Sequence, residues 1–163
     1  MHAHAELIAR FYQSFARRDA EGMAACYHPD VEFSDPAFPA LRGRNAGDMW
    51  RMLVERGKDL VVESSEIQAD DASGSARWVA TYTFSKTGRK VVNRIRANFT
   101  FKDGLIVRHR DEFDFRAWSK QALGLVGLLF GGTSWLQKKV QGEAAQQLAR
   151  WQERRDTKSN RGS

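Results

Sequence analysis

Three side chains in this sequence could move protons: Asp35, His109 and Asp111. His109 and Asp111 stand two residues apart in "LIVRHRDEFDF" (105–115), whose alternation puts Leu105, Val107, His109, Asp111, Phe113 and Phe115 on one face. Arg108, Arg110, Glu112 and Asp114 take the other face. An imidazole and a carboxylate thus fall where an apolar interior is expected, and positions i and i+2 of one strand can line one pocket. A buried carboxylate needs partners or a wet cavity. A carboxylate and an imidazole in an apolar cleft are the usual equipment of general acid–base chemistry. The same pair also fits a satisfied core network or a subunit interface, and spacing leaves these readings open.

Asp35 lies in "VEFSDPAF", between a short strand and a turn, directly before Pro36. Asp before Pro is ordinary turn chemistry. From this joint it could also reach the space that His109 and Asp111 face. Asn93 points to the same side of the neighbouring strand.

The elements that must hold these groups follow from periodicity. Leu7, Ile8, Phe11 and Phe15 recur at helical spacing over residues 5–18. Asp19 is placed to cap a short helix running to Tyr27, which "HPD" ends. Val31 to Phe33 reads as a short strand, and "SDPAFPALRGR" as an irregular loop. Asn45 can cap a third helix, with Ala46, Met49, Trp50, Leu53 and Val54 on one face and Gly57 at its end. Strand patterns follow over 60–69, 76–85, 89–101 and 105–115, separated by "DDASGS", "KTG" and "KDG". Trp78, Ala80, Tyr82 and Phe84 share a face, as do Val91, Asn93, Ile95, Ala97, Phe99 and Phe101. Ser134 with Gln137 forms a capping-box pattern ahead of the stripe Leu136, Val140, Ala144, Leu148 and Trp151.

Three helices followed by a long antiparallel meander predict an α+β domain: a cone-like curved antiparallel sheet with three N-terminal helices packed on its concave face, plus extra C-terminal helices. The expected division is a cone domain over 1–118, a helical extension over 119–155 and a basic disordered tail over 156–163.

The composition, 42% hydrophobic and 28% charged, suits a single core. The run from Ala122 to Gly132 is too short to span a bilayer, and membrane contact is not expected. No signal peptide is expected. Cys26 is the only cysteine, which points to a reducing, cytoplasmic compartment. Of the net charge of +6, four units fall after Leu136, and the body carries no nucleic-acid-binding signature, so no nucleic acid is expected. No His/Cys cluster has zinc spacing, and neither a P-loop nor a dinucleotide-binding motif is present.

"LIARFYQSFARRDAEGMAACYHPDVEFSDP" and "GLIVRHRDEFDF" together resemble the nuclear transport factor 2-like superfamily, over about residues 5–118. The likeness is strongest to its SnoaL-like group, which includes polyketide cyclases, ketosteroid isomerases and limonene-epoxide-hydrolase relatives. It implies a cone fold, often dimeric, with a hydrophobic pocket for a small lipophilic molecule and no required cofactor or metal. Asp35 matches the isomerases' general base. Phe11 and Ala97 fall at their two oxyanion-stabilising positions, where neither can donate a hydrogen bond. Asp111 matches the last-strand aspartate of the epoxide hydrolases and cyclases. The hydrolases' earlier Arg-x-Asp pair is missing near Trp78 to Thr81. The resemblance implies Asp111 as the catalytic acid/base, His109 as its catalytic partner and Asp35 as a second catalytic carboxylate, with Tyr12, Phe11, Asn93, Ala97, Trp78 and Tyr82 as contacts for the substrate. The activity implied is that of an isomerase, cyclase or hydrolase, or else a non-catalytic binding or dimerisation module of the same fold.

Overall fold

A computed structural model describes residues 1–162. In chain order the elements are α1 (Ala3–Ala16), α2 (Ala20–Ala24), β1 (Tyr27–Ser34), β2 (Leu41–Arg42) and α3 (Arg44–Arg56). They continue with β3 (Val61–Ala69), β4 (Ser73–Phe84), β5 (Arg89–Lys102), β6 (Leu105–Glu112), α4 (Phe115–Leu123), α5 (Leu125–Phe130) and α6 (Ser134–Arg161). The six strands form one curved, unclosed sheet in the order β2-β1-β6-β5-β4-β3. Every pairing is antiparallel except β1 with β6, which is parallel. The α+β cone expected from the element order is the observed fold.

Local chemistry accounts for most boundaries. Asp19 caps α2 by accepting from Gly22 N (2.9 Å). Asp103 and Gly104 both have positive φ, 53° and 75°, which the two-residue turn between β5 and β6 requires. The core lies between the concave face of the sheet and α1 and α3. Leu7, Ile8, Phe11, Tyr12 and Phe15 enter it from α1, Met49 and Trp50 from α3, and Phe33, Trp78, Ile95 and Phe99 from the strands.

Several expectations are corrected. Tyr27 begins β1 instead of ending α2, because Ile106 N donates to Cys26 O (2.9 Å) and draws this segment alongside β6. Pro29, which has no N–H to give a ladder, sits where the β1–β6 register slips. Leu41 and Arg42, read as loop, pair with Phe33 and Glu32. The N-cap of α3 is Gly43 (φ 56°), not Asn45, and that of α6 is Thr133, not Ser134. Strict alternation along β6 fails at its start. A bulge opposite Thr100 and Phe101 buries Ile106 where Leu105 and Val107 were expected inside, and only then do His109 and Asp111 turn inward.

The C-terminal helices fold back onto the cone. Trp118 donates to Tyr82 Oη (2.7 Å), Thr87 donates to the Ala122 carbonyl (2.6 Å), and Gln121 Oε1 accepts from Val92 N (2.7 Å). These bonds seat α4 on the β4–β5 hairpin. Along α6, Gln137 and Gln141 donate to the Pro36 carbonyl (3.3 and 3.0 Å). Trp151 donates to Glu55 (2.7 Å), and Asp156 pairs with Arg44 (2.6 Å). That last pair lies where a disordered tail was expected, and α6 stays helical to Arg161. Ser163, also assigned to the tail, lies outside the described residues. Among the described residues, no helix is long and apolar enough to cross a membrane.

Candidate functional site

His109 is fully buried, 0% exposed, at the centre of a chain of hydrogen bonds. Trp50 Nε1 donates to Tyr27 Oη (2.8 Å), and Tyr27 Oη lies 2.8 Å from His109 Nδ1. His109 Nε2 lies 2.9 Å from Asp111 Oδ1, which also accepts from Trp78 Nε1 (3.4 Å). One assignment of protons satisfies every link. Tyr27 accepts from Trp50, so its own proton goes to Nδ1, which leaves the Nε2 proton for Asp111. Aromatic rings enclose the imidazole: Trp50 stacks on it at 6.1 Å, Phe99 lies 4.4 Å away, and Phe33 and Phe11 present edges at 5.0 and 5.4 Å. A side chain so enclosed is held in one orientation by its two hydrogen-bond partners and the surrounding rings.

Asp35 is a turn residue that also feels the Asp111 charge. As a turn residue, its Oδ1 accepts from Ala37 N (2.7 Å) and Phe38 N (2.6 Å), while its own N–H donates to Phe38 O (2.8 Å). As an acid it is displaced. Burial raises its carboxyl to about 7 against the two amide bonds, and the nearby Asp111 charge adds to the rise. The Tyr82 hydroxyl feels Asp35 in turn: burial and that charge push it up against the bond from Trp118.

Tyr12 supplies a donor. Its hydroxyl is buried and makes no hydrogen bond among the described residues. Burial, with the Asp111 charge second, raises it well above the usual phenol range, so it stays protonated. The buried face of α1 is wide enough to take both Phe11 and Tyr12: Phe11 packs on His109, and Tyr12 meets Trp78 and Phe99. Ala97 is the register partner of Asp111 on β5, and its methyl group is the smallest side chain that could stand beside that carboxylate. Asn93, 8% exposed, faces the same side one ladder position from Ile95 and Trp78, opposite Ala80.

The fold therefore gathers His109, Asp111, Trp78, Tyr12 and Phe11 in direct contact or one residue apart, sets Asp35 within reach of the Asp111 charge, and sets Tyr82 within reach of the Asp35 charge. Sequence reasoning missed Tyr27 and Trp50. Tyr27 was hidden by its placement at a helix end, whereas Trp50 was visible only as one member of an apolar stripe. Two surface concavities, of ≈ 500 and ≈ 520 Å³, border this group: one between residues 37–41 and α6, including Ala37 and Phe38, the other around Arg77, Trp78, Arg94 and Phe113. Neither is lined by Asp35, His109 or Asp111. Beside Asp35, α4 bonds to Tyr82 through Trp118, and α6 bonds to the Pro36 carbonyl through Gln137 and Gln141. No group of His, Cys, Asp and Glu among the described residues could hold a metal ion.

Comparison with solved structures supports the fold widely. The chain is similar to TerC co-crystallised with polyporic acid (22% identity, 74% of this chain and 98% of that one, TM-score 0.63). It is similar to an LEH-like epoxide hydrolase of M. tuberculosis (22% identity, 78% and 95%, TM-score 0.60). A candidate polyketide cyclase of Xanthomonas campestris pv. campestris also matches (23% identity, 73% and 96%, TM-score 0.59). Among curated proteins there is no match. The family model described as a SnoaL-like domain matches residues 8–109, which include Tyr12, Asp35 and His109 and stop just short of Asp111. On that match, which spans well over half of its length, this chain belongs to the SnoaL-like domain family.

Proposed function

We propose that this protein is an enzyme that moves protons on a small lipophilic molecule, as an isomerase, cyclase or hydrolase, with no bound cofactor. Asp35 is the group that takes and returns the proton. The observation that carries this reading is a buried carboxyl poised at about 7 beside a second carboxylate, because a proton-transfer group works best near the ambient pH. Asp111, engaged by His109 and Trp78, is the neighbouring carboxylate whose charge helps to raise Asp35. Tyr12, with an uncommitted hydroxyl proton, donates to the oxygen on which charge develops. This moves the proton-transfer role from Asp111, which the sequence favours, to Asp35. His109 becomes a positioning residue. Asn93, Trp78 and Tyr82 shape the surface that meets the substrate, and the fully buried Phe11 and Ala97 back it. The structural neighbours' connection with polyporic acid, an epoxide and polyketides supports a lipophilic, oxygen-bearing substrate.

The test is a thermal-shift screen of hydroxyquinones, polyketide-like phenols and epoxides, followed by turnover assays on whatever binds. Asp35→Asn should lower kcat by ~10²–10⁴ with binding retained. The wild-type rate should climb with pH through about 7, as Asp35 loses its proton. Undiminished turnover in Asp35→Asn would reject the assignment.

The seating of α4 and α6 beside Asp35 favours a second reading, a non-catalytic binding or dimerisation module. On that reading ligands bind without turnover, and Asp35→Asn changes nothing beyond affinity. Sedimentation of the full chain tests the accompanying expectation of a homodimer.

A further inference from the structure

α5 presents its backbone to the protein and its side chains to solvent. A Cβ on Gly127 would collide with the Ser119 carbonyl, and one on Gly131 with the Gly127 carbonyl. The helix thus lies directly on α4 through glycine. Its large apolar side chains stay largely or partly uncovered beside that contact. Leu125 is 70% exposed, Leu129 64% and Trp135, just beyond, 58%, with Val126, Leu128 and Phe130 also exposed. So continuous an apolar surface marks a docking site.

Charge identifies what it docks against. Between Phe115 and Gly142 the chain has four basic residues, Arg116, Lys120, Lys138 and Lys139, and no acidic one. Arg116 approaches the Gly131–Gly132 end of α5, the Arg89 guanidinium lies against Gly124, and Lys139 sits over the Trp135 ring at 5.5 Å. An apolar tip ringed by cations, with a tryptophan at the boundary, is the arrangement that enters an anionic bilayer surface. A second copy of this chain fits less well, since a symmetric contact through α5 would set the same cations against one another.

We propose that α5 and Trp135 dock this protein peripherally on anionic membranes. The helix inserts Leu125, Val126, Leu128, Leu129 and Phe130 among the acyl chains, while Arg116, Lys120 and Lys139 meet the headgroups. The chain does not span the bilayer, and the contact differs from the sequence expectation of no membrane contact.

The experiment is co-sedimentation of the full-length protein with phosphatidylcholine vesicles, with and without phosphatidylglycerol at about a third of the lipid. Binding should require the anionic lipid and weaken as salt rises. Leu125→Ser with Leu129→Ser should reduce partitioning about tenfold or more. Lys120→Gln and Lys139→Gln should each reduce it about fivefold. All of these positions are exposed, so thermal stability should match wild type, which separates loss of docking from loss of fold. Brominated lipid should quench a fluorescence component that Trp135→Phe removes. Absence of binding to the anionic vesicles overturns the proposal. So does self-association that the double serine variant abolishes without any effect on lipid, which would make this face an interface between copies.

Discussion

Replacing Asp35 with Asn should make stability respond differently to pH. The carboxyl is ordinarily at 3.8 and is raised to about 7 in the fold, chiefly by burial. A raised acid contributes stability that is full below 3.8 and is lost progressively until pH passes about 7. In that window the unfolded chain has released the proton that the folded protein still holds. At ~1.4 kcal/mol per tenfold in proton affinity, the full displacement is worth ~4 kcal/mol, and the solvent access that remains to this largely buried carboxyl reduces it to ~2–4 kcal/mol. Asn keeps an acceptor for Ala37 N and Phe38 N but has no charge to desolvate. The Asn variant should therefore gain on wild type steadily from pH 4 to pH 7, ending ~2–4 kcal/mol more stable, and the gap should stay constant above that. Urea unfolding of both proteins at pH 4, 5, 6, 7 and 8 measures it directly. A gap independent of pH, or one that shrinks as pH rises, would refute the placement of Asp35 in a desolvated site facing Asp111.

Three more outcomes follow from the same geometry. Asp111→Asn should lower the Asp35 pKa, because the neighbouring charge that helps to raise it is gone, and carbon-detected NMR titration of the Asp35 carboxyl would register the change. Tyr27→Phe leaves both Trp50 Nε1 and His109 Nδ1 without their partner inside the core; at ~1–3 kcal/mol for each orphaned group it should cost ~2–6 kcal/mol in denaturant unfolding. Alanine at Gly127 and at Gly142 should act in opposite directions in thermal melts. Gly127→Ala forces α5 off the Ser119 carbonyl and lowers the melting temperature, whereas Gly142→Ala meets nothing within 4 Å inside α6 and should gain ~1 kcal/mol.

The sequence made most of the cone legible because its signals are periodic. Trp78, Ala80 and Tyr82 on β4, and Val91 to Phe99 on β5, alternate without a break, and the paired register follows them residue for residue. His109 and Asp111 stood out because they interrupt such a pattern. What stayed hidden depends on contacts between distant parts of the chain. Tyr27 became a strand residue only through its alignment with Ile106, and the β6 bulge answers to the strand it pairs with. The catalytic prospects of Asp35 were equally closed to local reading. Its two amide bonds belong to the turn, but its displaced acidity comes from burial and from a carboxylate 76 positions away, Asp111. The exposed face of α5 was legible only in part: the apolar run does not say which of its residues face solvent until its glycines prove to be the packing surface.

Strand order also carries a consequence for how the protein assembles. β6 is the last strand in the chain, yet it lies between β1 and β5. Until it docks, the chain holds two separate pieces, the β1–β2 pair and the β3–β4–β5 meander, each with an unpaired edge facing the gap. During synthesis from the N-terminus, that gap cannot close before residue 112 has emerged, and closing it joins segments more than 70 residues apart in the β1–β6 pairing. The same event supplies His109 and Asp111, so the hydrogen-bonded chain from Trp50 to Trp78 is completed in one late step. Folding intermediates should thus be most prone to mispairing at the very seam where the finished protein keeps its buried polar groups.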